Sequence, residues 1–243
     1  ALGQAVHEVL EALSVVPTDK RFSEPLLDRF DKAWEKVSGK KGGFHDRDIE
    51  YRYKERGAAM LRRVQEKPGV LQNKAVKINM DLPHFWLSEE ENIILCGKID
   101  WLEYNEEADT VHIIDFKTGK HKESGSSMQL PIYTLLVNEC QQREVSGLSY
   151  WYLETEDVPE AQELPDLEKS RKDILDIARR IKIARSLEKF DCPNGASGCQ
   201  ACRDYEKVYT GEAEYVGVGG YNHDIYIISP EEDVKLGGDS RIL

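Results

Sequence analysis

An acid and an amine lie two residues apart in the segment IIDFKTGK, where Asp115 and Lys117 follow two isoleucines. The apolar flanking residues predict a buried β-strand, and alternate side chains of a strand point to the same face. Charged groups are costly to bury unless they are paired or bind a metal ion. Packing gives no reason for such a pair in a buried strand, so the pair indicates a site with a chemical function.

The strand that carries this pair is predicted to form half of a β-hairpin. Residues 93–104 (IILCGKIDWLEY) and 110–118 (TVHIIDFKT) show the alternation of strands, and the polar segment NEEAD between them is typical of a turn. Residues at equal distances from the centre of that turn should pair across the hairpin. This symmetry places Asp100 opposite Asp115.

Two carboxylates that face each other across a hairpin repel unless a cation lies between them. The predicted pairing of Asp100 with Asp115 therefore favours a divalent metal ion, which carboxylate oxygens bind well. The same symmetry places Lys98 opposite Lys117. The alternative is a register slipped by one residue, which would send Asp100 to the other face of the sheet.

A helix is predicted from MQLPIYTLLVNEC, residues 128–140. Pro131 fits only in the first turn of a helix, which places Gln129 at the helix start, near the loop that leaves the acidic strand. Tyr133 lies four residues after Gln129 and so shares its face. Both polar side chains are therefore expected near the acidic strand.

Hydrophobic periodicity predicts the remaining elements. Helical patterns cover residues 1–16, 26–37, 46–65 and 166–189, strand patterns cover 75–82 and 148–154, and 157–165 is an acidic loop or a short edge strand. In the last helix the residues expected to face inward are Ile174, Leu175, Ile177, Ala178, Ile181, Ala184 and Leu187. His7 lies close to the apolar stripe of the first helix, and by itself a histidine there is typical of a core.

Composition and charge narrow the class of protein. The 243 residues are 40% hydrophobic and 32% charged, which fits a globular chain. A net charge of −12 argues against wrapping nucleic acid on a broad positive surface, although it allows a local basic groove or a cation-binding site. No apolar run approaches the ~20 residues of a membrane span, and the N-terminus lacks signal-peptide features, so a cytoplasmic protein is expected.

Three short segments resemble one nuclease family when they are taken together. GKID (97–100), DFK (115–117) and QLPIY (129–133) are similar to motifs of the RecB-like branch of the PD-(D/E)xK nuclease superfamily, which includes CRISPR-associated and helicase-linked exonucleases. The opening ALGQAVHEVLE resembles the first motif of that branch, a histidine on the N-terminal helix. The resemblance therefore implies that His7 is a metal ligand.

The resemblance also implies a fold and a domain organisation. The expected fold is α/β, with a restriction-endonuclease-like core in which a central mixed β-sheet is flanked by helices. A single nuclease domain over residues 1–243 would comprise an N-terminal helical part (1–70), a sheet core with the motifs (74–154), and a long helix with a C-terminal cysteine-bearing segment and tail (166–243).

The implied chemistry is the hydrolysis of phosphodiester bonds. The implied metal ligands are His7, Asp100, Asp115 and the backbone carbonyl of Phe116. The ion would be Mg²⁺ or Mn²⁺, hard cations that prefer oxygen ligands. Lys117 would position and polarise the attacking water, while Gln129 and Tyr133 would orient Lys117 or contact the substrate backbone.

Three cysteines, Cys192, Cys199 and Cys202, lie close together near the C-terminus. The resemblance implies a further cysteine about six residues after the CxxC pair, as in the iron–sulfur members of the branch. In this chain Val208 stands at that position. Three thiolates do not complete a four-thiolate cluster without another ligand. An iron–sulfur cluster, a zinc site and free thiols therefore remain as three interpretations.

The leading hypothesis is a divalent-metal-dependent DNA nuclease, an exonuclease-type domain of DNA repair or recombination or part of a helicase–nuclease, associated with the nucleoid. Its expected partners are DNA, as single strands or duplex ends, and a helicase or another repair or CRISPR module. The first alternative is an inactive nuclease-like domain that binds nucleic acid or a helicase. The second is a plain α/β domain whose acids form ion pairs with Lys98 and Lys117.

Overall fold

The computed structural model describes residues 1–125, 127–192, 194–219 and 222–228. The α-helices are α1 (Leu2–Ala12), α2 (Leu26–Glu35), α3 (Arg47–Glu66), α4 (Gln129–Cys140), α5 (Leu167–Ser186) and α6 (Gln200–Tyr209). The strands are β1 (His84–Ser88), β2 (Ile93–Cys96), β3 (Trp101–Asn105), β4 (Thr110–Lys117), β5 (Glu144–Tyr152), β6 (Glu160–Gln162), β7 (Ala213–Val218) and β8 (Asp224–Ile228). Short 3₁₀ helices cover Leu13–Val15, Thr18–Lys20, Gly39–Gly42, Gly69–Gln72 and Gly195–Ser197.

The acidic strand β4 lies inside a four-stranded sheet with the order β3-β4-β5-β6. β4 and β5 run parallel, whereas the other two pairs are antiparallel, so the sheet is mixed. β1 pairs with β2 and β7 pairs with β8 in two separate hairpins. The predicted α/β architecture is therefore confirmed. The assignment of residues 1–243 to one domain stays a prediction, and residues 229–243 of its tail lie outside the described residues.

Helices cover both faces of this sheet. On one face Trp101, Phe116 and Trp151 join the buried side chains of α1, α2 and α3 in one apolar cluster. On the other face the apolar side chains of β3, β4 and β5 pack against α4, where Val137 is fully buried. A strand covered on both faces is apolar throughout, which is why the acid in β4 stands out. Among the described helices, none has the length and apolar composition needed to cross a membrane.

The β3–β4 hairpin has the predicted register. Trp101 pairs with Ile114 and the pairing continues to Asn105 with Thr110, which rules out the register slipped by one residue. The turn explains this register locally, because the Asn105 side chain accepts hydrogen bonds from two backbone N–H groups of the turn. Asp109 closes the turn with φ +50°, a left-handed conformation that aspartate tolerates better than most residues.

The long strand predicted over residues 93–104 is interrupted. β2 ends at Cys96 and β3 begins at Trp101, and the chain between them passes close to α4. A Cβ atom at Gly97 would lie 2.8 Å from Cδ1 of Leu136, so a larger residue here would require the Leu136 side chain to move. Asp100 consequently precedes β3, at the position that continues its register toward Asp115.

Two further strand predictions are wrong. Residues 75–82 alternate as a strand would, but they find no continuous partner strand. Their backbone pairs with the sheet at a single bridge from Ala75 to Glu103, while Ile78 joins the apolar cluster that contains Leu102. Conversely, β1 forms in a stretch where no strand was predicted, because it pairs with β2 and directs Leu87 into a cluster with Leu135 and Ile174. Strand formation here depends on a partner strand rather than on local alternation.

The predicted inward face of α5 is wrong for the second half of the helix. Ile174 is buried against β1 and α4, but Ile181 and Leu187 are 55% and 62% exposed, and Ile177 is exposed as well. An amphipathic pattern indicates which face of a helix can be buried, whereas burial itself requires a neighbouring element. Within the described part of the chain, α5 finds apolar neighbours only along its first half, while Arg179 and Lys182 in its second half bind Glu91 of the β1–β2 turn.

Candidate metal and active site

Asp115 and Lys117 lie together at the carboxyl end of β4. Asp115 is 1% exposed, and the Lys117 ammonium lies 2.9 Å from its Oδ2. Gln129, the first residue of α4, bridges the pair: its Oε1 accepts a hydrogen bond from Lys117 Nζ (2.5 Å), and its Nε2 donates to Asp115 Oδ1 (2.9 Å). The same amide donates to the Tyr133 hydroxyl at 3.1 Å. These four predicted site residues are therefore adjacent in the folded chain.

Lys117 has two further contacts that the sequence did not predict, an ion pair and a ring contact. Glu123, in the polar loop after β4, places Oε1 3.2 Å from Lys117 Nζ. The ammonium also lies over the ring of Tyr150, 4.9 Å from its centroid. Burial would lower the pKa of Lys117, but its ion pairs with Asp115 and Glu123 raise it. Lys117 is accordingly held as a cation.

His7 reaches this site from α1. Its Nδ1 lies 3.1 Å from Asp100 Oδ1, while Asp100 Oδ2 accepts a hydrogen bond from the backbone N–H of Phe116 at 2.8 Å. Gly3, one turn earlier on α1, allows the helix to approach the end of β4, since a Cβ there would lie only 3.1 Å from Thr118 Oγ1. Residues 93 positions apart thus meet at one point. The metal-binding role of the Phe116 carbonyl stays a prediction.

Glu11 is a member of the same cluster that sequence reasoning missed. Its Oε1 lies 3.7 Å from His7 Nδ1, and its Oε2 forms an ion pair with Lys98. The prediction that Lys98 faces Lys117 is therefore wrong, because Lys98 lies in the interruption between β2 and β3, outside the ladder. A signal was available, since residues four apart on a helix share a face and Glu11 follows His7 by four.

The charges in the cluster also shift the pKa values of His7 and Asp115. Burial by itself would lower the pKa of His7, but hydrogen bonds to Asp100 and Glu11 and the charges of both acids raise it to about 10. Burial and the neighbouring charge of Asp100 raise the pKa of Asp115 to about 6, against the opposing effect of Lys117. The histidine is therefore an imidazolium at neutral pH, surrounded by carboxylates.

These residues fit a divalent cation. His7, Glu11 and Asp100 each offer one ligand atom, and the three atoms lie within 4.8 Å of one another, a spacing that ligands of a single ion can adopt. Asp115 Oδ2 is buried and, among the described residues, accepts no hydrogen bond of good geometry, although Lys117 Nζ is 2.9 Å away. Carboxylate oxygens with one imidazole nitrogen suit Mg²⁺ or Mn²⁺.

The three C-terminal cysteines form a separate cluster. Cys199 caps the N-terminus of α6, where the backbone N–H groups of Cys202 and Ala201 and the thiols of Cys192 and Cys202 lower its pKa. In the described part of the chain the three sulfurs do not form a group with all atoms within 4.8 Å, as a tetrahedral zinc site would require. Three thiols also do not complete a four-thiolate iron–sulfur cluster. Their role as cofactor ligands stays a prediction.

Comparison with known families identifies the chain. No curated protein matches it closely enough to count as a relative. A family model described as the PD-(D/E)XK nuclease superfamily matches residues 1–205. The match contains all the helices and strands that bring His7, Asp100, Asp115, Lys117 and Gln129 together. Because it covers most of the 243 residues, and because the mixed sheet flanked by helices is the restriction-endonuclease-like core, the chain belongs to the PD-(D/E)XK nuclease superfamily.

Proposed function

We propose that this protein is a divalent-metal-dependent DNA nuclease of the RecB-like branch. The observation that carries the proposal is the pairing of Lys117 with Asp115 beside the contact of His7 with Asp100, 3.1 Å apart. A structural ion pair would require only one acid for the lysine. Here two carboxylates, an imidazole and an ammonium are concentrated at the end of one buried strand, which is a costly arrangement without an ion.

His7, Asp100 and Asp115 would hold the ion, together with the Phe116 carbonyl. A bound Mg²⁺ or Mn²⁺ supplies charge neutralisation at the phosphate and lowers the pKa of a water molecule. Lys117, as an ammonium, cannot remove a proton from that water. It would instead orient the water through a hydrogen bond and stabilise the negative charge that develops on the phosphate oxygens.

Gln129 and Tyr133 would support Lys117. The Gln129 amide fixes both Lys117 and Asp115, so the lysine has one defined position. Burial raises the pKa of Tyr133 to about 12, and its hydroxyl therefore stays protonated and could donate a hydrogen bond to the DNA backbone. We place both residues in a supporting role rather than in the proton transfer itself.

The RecB-like branch suggests a more specific cellular role than the cleavage chemistry alone. An exonuclease-type domain that acts on single strands or duplex ends, within DNA repair or a helicase–nuclease or CRISPR assembly at the nucleoid, would follow from membership of the RecB-like branch. The net charge of −12 supports a dependence on such a partner, since the chain as a whole does not attract DNA.

Cleavage assays test the proposed function directly. Single- and double-stranded DNA and matched RNA are incubated with the protein in Mg²⁺, Mn²⁺ or EDTA. We expect DNA cleavage that requires the metal ion and is lost in Asp115→Asn. Asp109→Asn, at the exposed turn of the same hairpin, is the matched control and should cleave normally. Cleavage in EDTA, or cleavage by Asp115→Asn at the normal rate, would refute the assignment. DNA binding without cleavage under every condition would favour the inactive scaffold.

Metal binding should release protons. At pH 7.5 His7 is protonated, because its pKa is raised to about 10, and an imidazole must be neutral to bind a metal. Binding of Mn²⁺ should therefore release about one proton per ion and tighten as pH rises toward 10. Near pH 6 Asp115 should contribute an additional fraction of a proton, since its pKa is about 6. Calorimetry in buffers of different ionisation enthalpy measures this number, and zero release at pH 7.5 would exclude His7 as a ligand.

A further inference from the structure

Glu11 occupies an unusual position for a surface acid of a helix. Its side chain is only 12% exposed, and it lies between two cations, His7 at 3.7 Å and Lys98. Lys98 is 56% exposed and comes from the interruption between β2 and β3 that also delivers Asp100. Glu11 is therefore at the inner edge of the cluster, and Lys98 covers its outer oxygen.

We propose that Glu11 is a further carboxylate ligand of the metal ion, and that Lys98 competes with the ion for Glu11 in the metal-free protein. This inference rests on the proposed function, because it concerns the same metal centre. The ligand atoms of His7, Glu11 and Asp100 all lie within 4.8 Å of one another, so an ion that binds His7 and Asp100 is within reach of Glu11. In this arrangement Lys98 neutralises Glu11 until the ion replaces it.

Two features distinguish this role from that of an ordinary surface ion pair. An ion pair that only connects α1 to the β2–β3 segment would use one oxygen of Glu11. Here the second oxygen of Glu11 faces His7. The same helix supplies the comparison, because Glu8 forms an ion pair with Lys36 and, among the described residues, belongs to no group of three closely spaced ligand atoms. Glu8 and Lys36 therefore provide a matched acid–lysine pair outside the cluster.

Mn²⁺ binding, measured by calorimetry and by the electron paramagnetic resonance of free Mn²⁺, tests the proposal independently of cleavage. We expect Glu11→Gln to weaken Mn²⁺ binding by about 10–100-fold, the range seen when groups that support a metal site are lost. Glu11→Asp keeps the charge but shortens the reach, and it should weaken binding as well. Lys98→Met should tighten binding several-fold because it removes the competitor, whereas Glu8→Gln and Lys36→Met should change nothing.

The double variant separates competition from a general effect of charge. If Lys98 competes for Glu11, Lys98→Met should have no effect once Glu11 is glutamine. The proposal would be overturned if Lys98→Met tightened Mn²⁺ binding by the same factor in the Glu11→Gln background as in wild type. It would also be overturned if Glu11→Asp and Glu11→Gln bound Mn²⁺ normally. The proposed nuclease function has a different point of failure. It fails if wild type shows no Mn²⁺ binding that depends on Asp115, whereas normal Asp115-dependent binding with an inert Glu11 refutes the present inference alone.

Discussion

Replacing Lys117 with methionine is expected to slow DNA cleavage by about 10²–10⁴-fold, the range for losing a group that acts on the attacking water, while Mn²⁺ binding is retained. Methionine keeps the length and the apolar stem of lysine, so Tyr150 stays covered. The ammonium that faces Asp115 and Glu123 is lost. Because that ammonium would otherwise compete with an ion for Asp115, the Lys117→Met variant should bind Mn²⁺ as tightly as wild type or more tightly. Asp115→Asn should lose both cleavage and binding.

Lys122→Met is the matched control for this prediction. Lys122 lies five residues after Lys117, in the loop that follows β4. It forms an ion pair with Glu160 and lies over the ring of Tyr152 at 5.5 Å. It therefore has the same types of contact as Lys117 without a place in the metal cluster. Single-turnover rates with saturating Mn²⁺ are the measurement. A Lys117→Met rate within about tenfold of wild type would remove Lys117 from the proposed chemistry.

The part of the site that lies on the hairpin could be predicted because its geometry is local. NEEAD sets the turn, the turn sets the register, and the register places Asp100 at the end of β3 beside the end of β4. The position of Gln129 followed from a similarly local rule, since Pro131 is tolerated only in the first turn of a helix. Short sequence separations leave few alternatives for such groups.

The contacts that sequence reasoning missed depend on packing between distant segments. Lys98 was expected opposite Lys117, but β2 ends at Cys96, where the chain passes close to α4, and Lys98 forms an ion pair with Glu11. Glu123 comes from a loop whose path no periodic pattern describes. His7 itself was identified from a family resemblance, because an apolar stripe on α1 does not indicate where the helix docks.

The same limit applies to the fold. The alternation in residues 75–82 is real, but the segment pairs with β3 only at the bridge from Ala75 to Glu103. The apolar side chains Ile181 and Leu187 of the C-terminal part of the predicted helix are exposed. In contrast, the strand patterns predicted over residues 110–118 and 148–154 overlap β4 and β5, whose buried segments are largely apolar. Patterns of hydrophobicity therefore predict the centre of this sheet better than its periphery, where the presence of a neighbour decides the structure.

Arg21 is a structural centre that no sequence pattern indicated. It lies in a segment predicted only as a connection, yet it is 3% exposed. Its guanidinium donates to four backbone carbonyls, those of Leu13, Val16, Leu71 and Asn73. It also stacks over Trp101, 5.0 Å from the ring centroid. No carboxylate among the described residues forms an ion pair with it, so these carbonyls and the ring compensate the buried charge.

Arg21→Met should lower the free energy of unfolding by about 3–5 kcal/mol, because two buried and two partly buried carbonyls lose their donor and the segment after α1 loses its connection to β3. Arg21→Lys should be destabilised as well, since an ammonium lacks the fork that reaches several carbonyls at once.

Arg180→Met, at an exposed position of α5, is the control and should stay within about 0.5 kcal/mol of wild type. Denaturant titration and thermal unfolding measure these differences, with a drop of roughly 10 °C in Tm expected for Arg21→Met at this chain length. A loss below about 1 kcal/mol would mean that water replaces the guanidinium at these carbonyls, and that Arg21 does not hold the N-terminal helices to the sheet.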